Sequence, residues 1–318
     1  MTDRTVVAIG CSTDADYNFL IPLTCLLWRD HIGHFPLALL VGSESEWQRD
    51  GRLEVALQAL NYHQIPRIWL GHLPSYPDAT LAQNCRQHAC LSPSIFHETW
   101  VMPGDADLWP IRKAFYQAHV KSAHRAVIYY WQGDHFLGKN HFLKAVAAGK
   151  RSQTIPTCHV AMRALDWRRI YELEGDSIAP DRGISQAVGR TLEDWFTRTP
   201  KDAFNLWMSD QDILTERLCR QEWFPAGTPP HSSPEAHVSG EVLFIPRPGH
   251  PPLDRLCRSV PERWLGSFEP ERWIDAHVHK VPYGAEVWAM LLPIVHALLP
   301  DKVPWAVDYR NTYWEACR

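Results

Sequence analysis

Short apolar runs alternate with segments of helical character along the first seventy residues, and this alternation limits the folds open to the chain. Val6–Ile9, Leu37–Val41 and Arg67–Leu70 are typical of buried strands, and the segments at 19–29 and 52–61 between them are typical of helices. Successive strand–helix–strand units favour a mostly parallel sheet covered by helices. We therefore predict the α/β class, with a mostly parallel sheet flanked by helices.

Composition and charge exclude several classes of function. The chain has 36 acidic and 32 basic residues, and no run of lysine or arginine marks a polyanion-binding surface, so we expect no nucleic acid partner. The eight cysteines are scattered, a pattern typical of reduced thiols in a cytoplasmic protein. No apolar run is long enough to cross a bilayer. We expect a soluble, cytoplasmic protein without a membrane span.

Two aspartates one residue apart carry the strongest chemical signal. Asp105 and Asp107 follow an apolar, strand-like run, and two carboxylates at a strand end can approach one hard cation such as Mn²⁺ or Mg²⁺. Such a cation neutralises a diphosphate and improves it as a leaving group. A solvated, capped turn is the alternative. The apolar neighbours Trp100–Met102 and Leu108–Trp109 favour the metal site, because a charged pair among them is costly unless it is coordinated.

A polar segment follows the first strand, where ligands of parallel sheets collect. This segment, Ser12–Tyr17, contains no glycine. The glycine-rich phosphate loop that a nucleotidyltransferase normally places here is therefore absent.

The segment from Ser209 to Leu214 places polar side chains at the start of an apparent helix. One interpretation is that the carboxylates cap the helix. The other is that Asp210 and Gln211 face a site, where they bind an acceptor hydroxyl or stabilise positive charge on a sugar ring.

Late in the chain, Asp275, His277 and His279 alternate in an extended segment that ends at Lys280. Histidines at this spacing can bind a metal, and Lys280 can meet a phosphate. The segment also resembles the Asp-x-His-x-His motif of amidohydrolases. However, only 39 residues follow His279, too few for the rest of a barrel of about 250 residues.

Three segments, in chain order, resemble segments of the glycogenin-like glycosyltransferases of family eight, which have the GT-A fold. They are Asp14-Ala15-Asp16-Tyr17, Gly104-Asp105-Ala106-Asp107 and Asp210-Gln211-Asp212-Ile213-Leu214. The first resembles that family's nucleotide-binding loop and the second its Asp-x-Asp motif. The third resembles its Asp-Gln-Asp-Ile-Leu-Asn segment, with Thr215 in place of asparagine. The family's late His-x-x-Gly-x-x-Lys-Pro-Trp pattern is missing.

The resemblance implies a role for each matched position. Tyr17 would stack on the nucleotide base, in a loop that also holds Ser12, while Asp14 and Asp16 would contact the nucleoside. Arg86 would contact the donor phosphate or sugar, a role for which Lys280 is a further candidate from its charge alone. Asp105, Asp107 and a late histidine would hold the metal; His277 is the first choice and His279 the second. Asp210 and Gln211 would lie near the reacting sugar carbon.

The resemblance implies an α/β fold with a GT-A-like, Rossmann-type mixed sheet flanked by helices. We therefore expect one GT-A-like domain over 1–318, with a nucleotide-sugar-binding half at 1–110 and an acceptor half with C-terminal helices at 111–318. The expected activity is metal-dependent transfer of a hexose from a nucleoside diphosphate sugar to a hydroxyl of a glycan or other acceptor. The resemblance favours retention of configuration, whereas an inverting enzyme would need Asp210 or His135 as a base. Two alternatives stay open: a metal-dependent hydrolase that uses Asp275, His277 and His279, and a carbohydrate-binding protein without turnover.

Overall fold

The computed structural model describes residues 5–120, 122–131, 138–150, 152–173, 180–226, 236–246, 254–257, 268–278 and 281–318. The strands are β1 (Thr5–Cys11), β2 (Phe35–Val41), β3 (Arg67–Leu70), β4 (Trp100–Gly104), β5 (Leu108–Pro110), β6 (Ala126–Trp131), β7 (Val160–Arg163), β8 (His237–Ser239), β9 (Val242–Pro246), β10 (Asp254–Cys257) and β11 (Trp273–His277). The helices are α1 (Ala15–Leu26), α2 (Glu44–Trp47), α3 (Gly51–Tyr62), α4 (Asp78–Cys85), α5 (Lys113–Tyr116), α6 (Lys139–Ala147), α7 (Ala164–Ile170), α8 (Pro180–Phe196), α9 (Ala203–Cys219), α10 (Ala285–Leu298) and α11 (Val303–Ala316).

The central sheet has eight strands in the order β3-β2-β1-β4-β7-β6-β9-β8. Strands β3, β2, β1 and β4 run parallel to one another, whereas β7 is antiparallel to both of its neighbours. Strand β9 is parallel to β6, and β8 is antiparallel at the edge. The predicted α/β class, with a mixed sheet flanked by helices, is confirmed.

Both faces of the sheet are buried. In β1, Val6 and Ala8 join one apolar cluster, and Val7 and Ile9 join another on the opposite face. This is the alternation expected of a strand covered on both sides. Residues of α4, α8 and α9 belong to the first cluster and residues of α1 and α3 to the second, so α1 and α9 cover opposite faces.

The outer side of α1 packs against the C-terminal helices. Phe19 stacks on Tyr309 of α11, and the Tyr309 hydroxyl donates a hydrogen bond to the Phe19 carbonyl at 2.9 Å. These contacts hold the C-terminus of the described chain against its first helix. Within the described ranges, no helix combines the length and apolar character needed to cross a bilayer.

A second, smaller sheet follows the carboxyl end of β4. Its order is β10-β11-β5, with β10 parallel and β5 antiparallel to β11. Because β5 begins directly after the Asp105–Asp107 loop, that loop connects the carboxyl end of β4 in the large sheet to the small sheet.

Gly10 permits the close approach of α4 to β1. A Cβ atom at this position would lie 1.8 Å from the carbonyl oxygen of Ala82. We expect Gly10→Ala to lower the free energy of unfolding by about 3 kcal/mol, because α4 must move off the sheet. The measurement is urea unfolding, with Gly71→Ala as the control, since an added Cβ there meets nothing within 4 Å. Equal midpoints for the two variants would contradict this packing.

Candidate active site

A cleft of about 250 Å³ lies at the carboxyl ends of β1 and β4. The chain places β2 on one side of β1 and β4 on the other, so the cleft is at the switch point where open α/β sheets bind ligands. The side chains and backbone around it come from Gly10, Cys11, Ser12, Tyr17, Ala79, Ala82, Gln83, Arg86, Asp105, Ala106, Asp107, Trp207, Asp210, Gln211 and His277. Eight of the residues predicted from the sequence are therefore brought together.

One helical wall comes from α4 and its C-terminal extension. Ala79, Ala82, Gln83 and Arg86 all line the cleft, and this spacing places them on one face of a helix. Ala79 and Ala82 contribute only methyl groups to this wall. Helix α4 ends at Cys85, and the chain continues as a 3-10 helix from Arg86 to Leu91.

The other helical wall comes from α9. This helix begins at Ala203, where the Asp202 side chain accepts a hydrogen bond from the Asn205 amide. Asp210 and Gln211 therefore lie in the middle of a helix, and the interpretation of Asp210 as a helix cap is wrong. Its backbone carbonyl is held by the Gln87 side-chain amide at 2.7 Å.

Arg86 is buried between two carboxylates. One of its Nη atoms donates a hydrogen bond to Asp105 and the other donates to Asp210 at 2.7 Å. The side chains of Arg86 and Asp210 are nearly inaccessible, whereas that of Asp105 is 31% exposed. Arg86 thus links the Asp-x-Asp loop to α9 across the cleft.

The two carboxylates next to Arg86 differ in their electrostatics. Burial opposes ionisation of Asp105, but the charge and hydrogen bond of Arg86, a hydrogen bond from Cys158 and the nearby His277 together hold the pKa of Asp105 well below its usual range. Burial raises the pKa of Asp210 to about 6, against the lowering effect of Arg86 and with a further rise from the Asp105 charge. The more exposed carboxylate is therefore the more strongly ionised of the two.

Asp107 faces His277. The His277 Nε2 and Asp107 Oδ2 atoms are 3.1 Å apart. The antiparallel pairing of β5 and β11 aligns Leu108 with His277, and the Val278 amide donates to the Asp107 carbonyl at 2.8 Å. Backbone pairing thus brings together two residues 170 positions apart.

Asp105, Asp107 and His277 carry side-chain atoms that can bind a divalent cation, although these atoms do not surround one point. Two carboxylates and an imidazole are oxygen and nitrogen ligands of the kind that Mn²⁺ accepts. Among the described residues, no group of three or more histidine, cysteine, aspartate or glutamate side chains is close enough to hold a metal ion as placed. Asp107 and His277 are in contact with each other, whereas Asp105 is turned to Arg86, which donates a hydrogen bond to its Oδ1.

The segment after β1 contributes two of its four predicted residues to the cleft. Ser12 and Tyr17 line it. Asp14 caps α1 by accepting from the Asp16 amide at 3.0 Å, and Asp16 accepts from the Val281 amide at 2.9 Å. In the described structure these two carboxylates border the cleft lining rather than join it, and nucleoside contact for them stays a prediction.

The residues of the late segment at 275–280 do not share one environment. Asp275 is fully buried and accepts a hydrogen bond from the Tyr116 hydroxyl at 2.7 Å. His277 alone of the described segment lines the cleft. His279 and Lys280 lie outside the described residues, as does His135. The packing of Asp275 in the core disfavours the hydrolase alternative.

Sequence reasoning missed Ala79, Ala82, Gln83 and Trp207 as cleft residues. The helical spacing of the first three with Arg86 was a usable signal. Trp207 lies three and four residues before Asp210 and Gln211, on the same helical face, but that relation becomes visible only when α9 begins at Ala203.

No protein-family model matches the chain, and no curated protein matches it. Among solved structures, it is similar to a galactosyltransferase, LgtC, in complex with donor and acceptor sugar analogs, at 9% sequence identity and a TM-score of 0.47. The similarity covers 97% of this chain and 96% of that one.

Proposed function

We propose that this chain is a metal-dependent glycosyltransferase with a GT-A-like domain. It transfers a hexose from a nucleoside diphosphate sugar to a hydroxyl acceptor. The observation that carries the proposal is the convergence of Asp105, Asp107, His277 and the Arg86–Asp210 pair on one cleft at the switch point of the sheet. In this proposal, residues 1–110 form the part of the cleft that binds the nucleotide sugar. Residues 111–318 form the part that binds the acceptor, and they also supply Gln211 and His277.

Asp105, Asp107 and His277 are the residues that would hold the divalent cation, Mn²⁺ or Mg²⁺. A cation bound there would neutralise the diphosphate of the donor and stabilise it as a leaving group. Asp107 and His277 are supported by their contact at 3.1 Å. Asp105 is supported by its place in the same loop, its partial exposure and its strongly ionised carboxylate.

Arg86 acts in this proposal as a positioning residue. Both of its terminal nitrogens are engaged by Asp105 and Asp210, so direct contact with the donor is not its first role. Its charge holds the Asp210 carboxylate in place in a buried setting where ionisation is otherwise costly. Asp210 and Gln211 then present a carboxylate and an amide to the reacting sugar. Their polar atoms can stabilise positive charge on the ring and bind hydroxyls, which is compatible with the retaining reaction favoured by the sequence resemblance.

The test is a thermal-shift panel of nucleoside diphosphates and sugar nucleotides, with and without Mn²⁺. We expect one donor to raise the melting temperature only when the metal is present, because ligands that bind the folded state alone stabilise it. The same donor is then incubated with metal, and release of the nucleoside diphosphate is measured. A shift of the same size in the presence of a chelator, or no shift with any donor, would overturn the proposal.

Tyr17→Ala should weaken nucleotide binding about tenfold, because Tyr17 lines the cleft beside the end of β1 and an aromatic ring there can stack on a base. Calorimetric titration with the nucleoside diphosphate and Mn²⁺ measures the change. Tyr62→Ala is the control, since Tyr62 is 73% exposed at the end of α3. A slower turnover with unchanged nucleotide affinity would contradict the stacking role.

A further inference from the structure

The N-terminal half of α9 exposes two aromatic side chains. Phe204 is 46% exposed and Trp207 is 49% exposed. The other tryptophans whose side chains the structure describes are buried or half-buried, so Trp207 stands out by its exposure. Large apolar groups on a surface lose the benefit of burial, and clustered ones commonly mark a binding surface.

Trp207 belongs to the cleft described above. It lies one helical turn before Asp210 and Gln211 and lines the cleft with them. Tyr17, at the proposed nucleotide side, is on α1, which covers the opposite face of the sheet. The two rings therefore approach the cleft from different faces, which leaves Trp207 on the side away from the nucleotide.

Phe204 belongs to a second cleft, of about 290 Å³, between α9, α6 and the C-terminal end of α8. Met208 and Asp212 of α9 line it, together with Phe142 of α6. Polar side chains, among them Lys150 and Ser152, share the lining with these apolar groups. Helix α9 thus borders both clefts, and one of its exposed rings lines each of them.

The two exposed residues are neighbours on the surface of α9. Positions 204 and 207 are three residues, or about 4.5 Å, apart along the helix axis, so one continuous ligand can contact both side chains. A pyranose has a face of C–H groups that stacks on an aromatic ring and an edge of hydroxyls that binds carboxylates, amides and amines. The rings and the polar groups of both clefts offer these two kinds of contact together.

We propose that Trp207 and Phe204 form successive subsites for an oligosaccharide acceptor. Trp207 stacks on the sugar next to the reacting centre, and Phe204 stacks on a following sugar that enters the second cleft. This inference rests on the proposed function, and it names the acceptor as a glycan of at least two units. A single monosaccharide would reach Trp207 but not Phe204.

A glycan array tests the proposal with the full chain, labelled with a fluorophore. The array presents mono-, di-, tri- and tetrasaccharides of glucose, galactose and N-acetylglucosamine, probed with and without Mn²⁺ and UDP or GDP. We expect at least one longer glycan to bind more tightly than its own terminal monosaccharide. Trp207→Ala should weaken binding of every retained glycan about tenfold, the size seen when a stacking ring is removed. Phe204→Ala should abolish only the advantage of the longer glycan.

Two further variants separate stacking from general surface effects. Trp207→Tyr should keep most of the binding because it keeps a ring. Phe96→Ala should match the wild type because Phe96, at 78% exposure, lies before β4 and outside both clefts. Retention of no glycan, unchanged binding by Trp207→Ala, or a length advantage that survives Phe204→Ala would each overturn the inference. Failure of the proposed function appears separately, as absence of the metal-dependent thermal shift with sugar nucleotides.

Discussion

Asp107→Asn is expected to lower metal-dependent sugar transfer by about a hundredfold or more, the scale on which removal of one preorganised charge-stabilising group acts. Asp107 is nearly inaccessible and contacts His277, so asparagine keeps the shape and removes the charge of the proposed ligand pair. The rate of nucleoside diphosphate release from the donor measures the loss. Titration of the protein with Mn²⁺ alone should show a parallel loss of metal affinity, which is a readout independent of turnover.

The control for this variant is Asp301→Asn, which removes an exposed aspartate before α11. It should match the wild type in both assays. Wild-type metal affinity and turnover in Asp107→Asn would exclude a metal held by this loop. A variant that kept glycan binding, in a chain whose wild type shows no turnover, would favour the non-catalytic carbohydrate-binding alternative.

Arg86→Met should lower the free energy of unfolding by about 3–5 kcal/mol, the usual cost of removing one partner from a buried ion pair. The methionine fills much of the space, but it leaves the buried Asp210 carboxylate without its counter-charge. Asp105 loses the same partner from its more exposed position. Urea unfolding at neutral pH measures the change in stability.

Two comparisons make the Arg86 prediction specific. Adding Asp210→Asn to Arg86→Met should recover part of the lost stability, because the uncompensated carboxylate is gone. Arg52→Met should cost less than about 1 kcal/mol, since Arg52 pairs with Asp50 at the surface with both side chains about one-third exposed. If Arg86→Met and Arg52→Met unfold at the same urea concentration, Arg86 does not stabilise the cleft as described.

Local patterns were enough to predict the first half of the sheet. The predicted strands at 6–9, 37–41 and 67–70 lie within β1, β2 and β3, because a strand buried on both faces leaves a continuous apolar run. The helix predicted from residue 19 instead begins at Ala15, where Asp14 caps it. Beyond β4 the order of strands was not predictable, since β7 inserts between β4 and β6 through pairings that no local pattern encodes.

The candidate site was predictable in its residues more than in its contacts. Asp105, Asp107, Asp210 and His277 were selected from short motifs and a family resemblance, and all four line one cleft. Their partners were not predictable in the same way. The Arg86 side chain, predicted to contact the donor, pairs with carboxylates 19 and 124 positions away. Trp207 escaped notice because the start of its helix was placed too late.

By itself, the sequence determined the α/β class and the placement of acidic and aromatic side chains at strand ends, since periodicity and strand-end position are properties of neighbouring residues. Only the tertiary structure decided which of these side chains meet. Pairing of β5 with β11 set His277 against Asp107, and packing of α4 against β1 and α9 set Arg86 between Asp105 and Asp210. Such contacts depend on the path of the whole chain. A buried charge is costly unless it is paired, and the fold decides which opposite charge lies close enough to pair with it.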